Sequence, residues 1–159
     1  MFTLNDLLDI AVKMEQNGKA VYCRALEKTR DPGLRELLRW MADEEDCHGN
    51  WFKAQKDLLP QGGEDLEVML PDVLREMMGE NTLSLDEVDF STITTQGQMI
   101  KTFIMFENDT ILFYEFLDTF IDAPGVKKGL HNIIREETSH VEKLTAMIQS
   151  VRDLPVEDR

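Results

Sequence analysis

The chain has 159 residues, a formal net charge of −14 and 42% hydrophobic residues. That length suits one domain able to bury its own core, and the acidity argues against nonspecific nucleic-acid binding or an anionic membrane surface. No apolar run is long enough to span a bilayer, the N-terminus lacks a signal-peptide pattern, and Cys23 and Cys47 form no Cys-x-x-Cys. The expectation is a cytoplasmic protein without a zinc ribbon or rubredoxin-type iron site in this chain.

Few, clustered Gly and Pro residues point to an all-α protein. Thr3 reads as the N-cap of a first helix running to about Arg30. Asp31-Pro32 reads as a cap followed by proline at the first helical position, opening a second helix that ends near Leu59. Pro60 and Gly62-Gly63 break it. Glu64 to Met78 is expected to hold one or two short helices, and Asn81 to Thr94 an extended connection. Thr95-x-x-Gln98 matches a capping box that opens a third helix to about Ile121. Pro124 opens a fourth, to about Arg152, and a polar tail is expected to fray. The domain is thus one helical hairpin over 3–59, a crossover over 60–94 and a second hairpin over 95–152.

The two hairpins repeat. Glu15, Tyr22, Glu45 and His48 recur as Glu107, Tyr114, Glu137 and His140, each number rising by 92, and Pro32-Gly33 recurs as Pro124-Gly125. Glu15 lies 16 residues before Asp31 and Glu45 lies 14 after it; Glu107 and Glu137 bracket Ala123 in the same way. In antiparallel hairpins the paired positions then differ in height by only about 3 Å. All four carboxylates fit one layer.

Each Glu also interrupts an apolar stripe. Ile100, Phe103, Ile111 and Tyr114 flank Glu107, and Leu130, Ile133, Val141 and Leu144 flank Glu137. Each His, three residues on, shares its Glu's face. A buried, unpaired carboxylate costs several kcal/mol or takes up a proton. Two divalent metals would balance the four negative charges, with His48 and His140 completing the shells. Oxygen-rich ligation with some nitrogen favours iron or manganese over structural zinc. One Glu-x-x-His alone would be weak evidence; two copies with matching lone glutamates are strong.

Other residues carry less. Tyr22 and Tyr114 either act at the site, by hydrogen-bonding a ligand carboxylate or taking part in electron transfer, or are plain core tyrosines. Asn17 and Asp109, matched at the same offset, either orient a ligand histidine or are exposed polar residues. His131 reads as a surface residue, and Cys23 and Cys47 as ordinary thiols rather than a redox pair. Glu115, Asp118 and Asp122 read as a solvated face more readily than an iron path, and Met69, Met77 and Met78 as packing.

Glu15-x₆-Tyr22 with Glu45-x₂-His48, and Glu107-x₆-Tyr114 with Glu137-x₂-His140, resemble the rubrerythrin branch of the ferritin-like superfamily over nearly the whole chain except 60–94. The resemblance implies a ferritin-like four-helix bundle with a long crossover connection, often dimeric. It implies Glu15 and Glu107 as terminal ligands, Glu45 and Glu137 as bridges, and one histidine per metal. It implies two iron ions, with manganese or zinc as alternatives, and the reduction of peroxide or O2 in oxidative-stress defence. An external electron donor such as a rubredoxin-like protein is then needed, because no rubredoxin domain lies within this chain. The extra glutamate of rubrerythrins one turn from the third-helix ligand is also missing, since Ile104 and Thr110 stand three residues from Glu107. An iron-oxidising or storage module, or a non-catalytic scaffold with a vestigial site, are the competing expectations.

Overall fold

The computed structural model describes residues 2–59, 65–66 and 88–157. Four helices carry the fold: α1 (Leu4–Leu26), α2 (Pro32–Leu58), α3 (Gln96–Asp118) and α4 (Pro124–Val151). Their starts follow local chemistry. Thr3 and Asp6 form a reciprocal capping box on α1, and Thr95 and Gln98 form one on α3. Asp31 accepts from the Leu34 N–H at 2.8 Å ahead of Pro32. Ala123, in the matching place before α4, offers no side-chain cap.

Helix ends depart from the sequence expectation because tertiary contacts set them. α1 stops at Leu26 rather than near Arg30. There the Arg35 guanidinium of α2 donates to the Leu26 and Thr29 carbonyls, and the buried Thr29 hydroxyl turns inward to Gln96 Oε1 at 2.8 Å. α3 stops at Asp118, where the Thr119 N–H takes the Phe116 carbonyl at 3.1 Å. The tail is not frayed through residue 157. Gln96 N–H donates to Leu154 O, Val156 N–H to Thr94 O and Glu157 N–H to Lys28 O. Gly97 lets the tail approach, since a Cβ there would lie 2.7 Å from the Arg152 carbonyl oxygen.

Two expectations for the crossover change. Asp65–Leu66 pair antiparallel with Phe2–Thr3 as a two-residue strand, not as helix. Phe90–Thr92 form a 3₁₀ turn capped by Asp89 within the stretch expected to be extended. The rest of the expected short helices, and Met69, Met77 and Met78, lie outside the described residues.

Lys19–Asp46 and Lys56–Asp9 pair so that numbers rise on α1 as they fall on α2, which makes that hairpin antiparallel. Lys127–Asp118 begins the second hairpin in the same sense. The core between them includes Leu7, Leu8, Leu34, Leu38, Phe52, Phe103, Phe113 and Leu117, all nearly or fully buried. Burying each such side chain contributes about 1.5–3 kcal/mol relative to exposure. Among the described residues no helix is long and apolar enough to cross a membrane.

Candidate metal centre

The six repeated ligand candidates meet at mid-height. Glu15 comes from α1, Glu45 and His48 from α2, Glu107 from α3, and Glu137 and His140 from α4, and none is more than 4% exposed. Their ligand atoms form two overlapping groups, each within 4.8 Å. One is Glu15, Glu45, His48 and Glu137; the other is Glu45, Glu107, Glu137 and His140. Glu45 and Glu137 belong to both, as bridging carboxylates would. Both imidazoles point Nδ1 inward: His48 Nδ1 lies 2.9 Å from Glu137 Oε1, and His140 Nδ1 lies 3.0 Å from Glu137 Oε2. The two rings stack at 6.2 Å between centroids.

The surrounding bonds cross between hairpins. Tyr22 of α1 donates its hydroxyl to Glu107 of α3, and Tyr114 of α3 donates to Glu15 of α1. Both tyrosines therefore hydrogen-bond candidate ligand carboxylates. His48 Nε2 meets Glu136 Oε2 of α4 at 2.7 Å, and His140 Nε2 meets Glu44 Oε2 of α2 at 2.6 Å. Each outer carboxylate accepts a proton from Nε2 and so fixes the ring and leaves Nδ1 for the centre. Asn17 and Asp109 do not do this: Asn17 is buried and Asp109 half-buried, and the histidines' outer nitrogens go to Glu136 and Glu44.

Glu44 and Glu136 were legible but overlooked, for they too differ by 92 and extend the motif to Glu-Glu-x-x-His. Gly18 is a second unforeseen contributor. A Cβ there would sit 2.6 Å from Glu45 Oε2, so glycine makes room for a shared carboxylate. His131 is exposed and pairs with Asp118 at 2.9 Å, and Cys23 and Cys47 are free and exposed. Asp118 is engaged by Lys127 at 3.1 Å and by His131 rather than lying open on an acidic path.

A metal pair fits this donor set on its own geometry. Glu15 Oε2, Glu45 Oε1 and Glu107 Oε2 are buried without a hydrogen-bond partner. Such atoms cost about 1–3 kcal/mol each when unsatisfied, more when charged. Without metal, protons stand in. Burial and the neighbouring Glu137 charge raise Glu107 to about 8, and burial with Glu137, Glu15 and Glu107 pushes Glu45 well above the usual carboxylate range. Burial alone would lower the histidines, but the facing carboxylates outweigh it and hold His48 and His140 at about 11. Burial and the nearby glutamates push the Tyr22 and Tyr114 hydroxyls well upward, so both stay donors.

No family model and no curated protein sequence matches the chain. Two solved structures are similar. One is a proposed ferritin-like diiron-carboxylate protein from Thermotoga maritima, at 20% identity and TM-score 0.68, covering 93% of this chain and 95% of that one. The other is a hypothetical protein from Pyrococcus furiosus, at 19% identity and TM-score 0.68, covering 93% and 89%. The likeness establishes the fold: an all-α, ferritin-like four-helix bundle of two hairpins. The buried glutamate and histidine groups at its centre make it a bundle with a site suited to two metal ions.

Proposed function

We propose that the chain is a di-iron carboxylate oxidoreductase of rubrerythrin type that reduces peroxide or O2 in the cytoplasm. One observation carries this reading: two overlapping carboxylate–imidazole groups share Glu45 and Glu137, fully enclosed by the bundle. Glu15 and Glu107 would hold the metals from outside, Glu45 and Glu137 would be shared between them, and His48 and His140 would give one nitrogen to each. Four carboxylates and two M²⁺ ions cancel in charge, which removes the cost of burying either set.

Bound iron supplies the electrons and polarises the O–O bond. The chain does the rest. Tyr22 and Tyr114 hold one oxygen of each outer carboxylate and leave the other free for metal. Glu44 and Glu136 set the histidine tautomers. The apolar shell of Phe103, Phe106, Ile133 and Leu144 keeps bulk water out. Thr110 in place of an extra glutamate leaves the ligand set symmetric between the repeats. The electron donor is external, and the working form is a homodimer.

The test is anaerobic loading with ferrous iron, metal analysis, then addition of peroxide. The expected result is two irons per chain and fast formation of an oxo-bridged ferric band, with turnover far beyond two electrons when a donor is supplied. A single oxidation without turnover would instead assign iron oxidation or storage. Full iron binding in Glu45→Ala or Glu137→Ala would refute the ligand assignment.

A further inference from the structure

The 92-residue symmetry fails beside one histidine, and the failure opens a path to the surface. Trp40 of α2 packs its indole edge-on against the His140 ring, with centroids 5.1 Å apart at 83°. Its repeat partner is Asn132, and the one ring contact described for His48 is His140 itself. Only one half of the centre therefore has an aromatic neighbour between it and solvent among the described residues.

Trp40 is half-buried, and its remaining surface lines an open groove of about 650 Å³ between α2 and α4. Leu37 and Met147 give the groove apolar walls. Lys143 and Ser150 stand at the rim, with the Lys143 ammonium 4.8 Å from the Trp40 ring centroid. On the opposite side of the dyad position 143 corresponds to Trp51, which packs edge-on against Phe52 and lies so close to Gly129 that a Cβ there would meet it at 2.4 Å. There an indole fills the equivalent space; here the space is open.

We propose that this groove is where reducing equivalents enter, and that it takes a planar aromatic carrier of the reduced-flavin class stacked at Trp40. The volume is that of a small-cofactor site, and a flat ring matches an indole floor. Lys143, drawn off the indole face, becomes the counter-charge for the carrier's anionic edge or phosphate. Indole and imidazole in edge contact then form a van der Waals bridge from the groove to His140, the ligand that would hold one of the metals. The electron count closes. A reduced flavin gives two electrons and two protons, each ferric ion takes one electron, and the two ferrous ions return both to one peroxide, which takes two protons to become two waters.

This inference rests on the di-iron reading, so binding and electron transfer are tested separately. Binding of oxidised flavin mononucleotide to the full chain is measured by equilibrium dialysis, with and without metal. Saturable binding is expected, weakened roughly ten- to a hundredfold by Trp40→Leu, the size of a lost ring stack, and kept largely by Trp40→Phe. Reduced flavin mononucleotide is then mixed anaerobically with the oxidised, iron-loaded protein. Trp40→Leu should lose the fast phase of flavin oxidation at unchanged iron content, Trp40→Phe should restore it, and Trp51→Leu should leave it as in the unaltered chain. No saturable flavin binding would overturn the carrier class. Equal electron-transfer rates in the unaltered chain and Trp40→Leu would overturn the route. Failure to hold two irons would show in the metal analysis before any flavin is added, and would count against the di-iron reading.

Discussion

Loading the empty site with metal should expel protons in a number the structure fixes. At pH 7 the metal-free chain holds His48 and His140 as imidazolium ions, since both titrate near 11. Glu107, near 8, is about nine-tenths protonated at that pH. Burial and its three neighbouring carboxylates push Glu45 well above the usual carboxylate range. Every one of these protons sits on an atom group that two metals would claim. Binding two divalent ions at pH 7 should therefore release about three protons per chain from His48, His140 and Glu107. The sign with pH follows from the raised values. Between pH 7 and pH 9 Glu107 loses its own proton, so the release from these three groups should fall to about two while apparent affinity rises. Calorimetric titration with ferrous or manganous ion in buffers of different ionisation heat reads the number directly. Release of one proton or none at pH 7 would refute the reasoning, because the empty centre would then be hydrated and ionised rather than held neutral by protons.

The outer carboxylates and the glycine offer two further tests. Glu44→Gln and Glu136→Gln should each weaken metal binding about 10- to 100-fold, measured by competition with a chelator, because the histidine loses the group that fixes its tautomer. Glu44→Gln should have the larger effect, since Glu44 is the more buried of the two. Gly18→Ala should disturb Glu45 and lower metal stoichiometry below two, whereas Gly49→Ala, whose Cβ would stand 3.4 Å from Glu15 Cβ, should leave both metals in place.

Much of the centre could be read from the chain because helical periodicity is local and the repeat is long. Thr3, Asp31 and Thr95 announce helix starts through bonds to residues three positions on, which spacing alone reveals. Equal heights for the four glutamates follow from helix rise and a turn fixed by proline. The ends were less legible. Leu26 terminates α1 because Arg35 takes its carbonyl, and the tail is ordered by Thr94 and Lys28, contacts invisible to a local window. Glu44 and Glu136 were missed for a related reason. Each stands one residue from a bridging candidate, about 100° round the helix, where a polar residue reads as solvated. Its partner is a histidine on the other hairpin, not the one four residues along its own helix. Trp40 carries no repeat signal at all, since its value lies in the broken match with Asn132.

The reciprocity of the crossing bonds has a consequence for the ancestry and assembly of such a bundle. Tyr22 reaches Glu107 while Tyr114 reaches Glu15, and His48 reaches Glu136 while His140 reaches Glu44. Residue i meets j and j meets i, which is the signature of an isologous interface between identical subunits. The chain is in effect a two-fold dimer with its halves tethered. Either hairpin alone owns each kind of partner but cannot satisfy itself, so two copies of one hairpin could supply every bond that the tethered pair now makes. Tethering frees the halves to differ, and a half that no longer has to match its twin can give up a groove-filling indole on one side and keep it on the other.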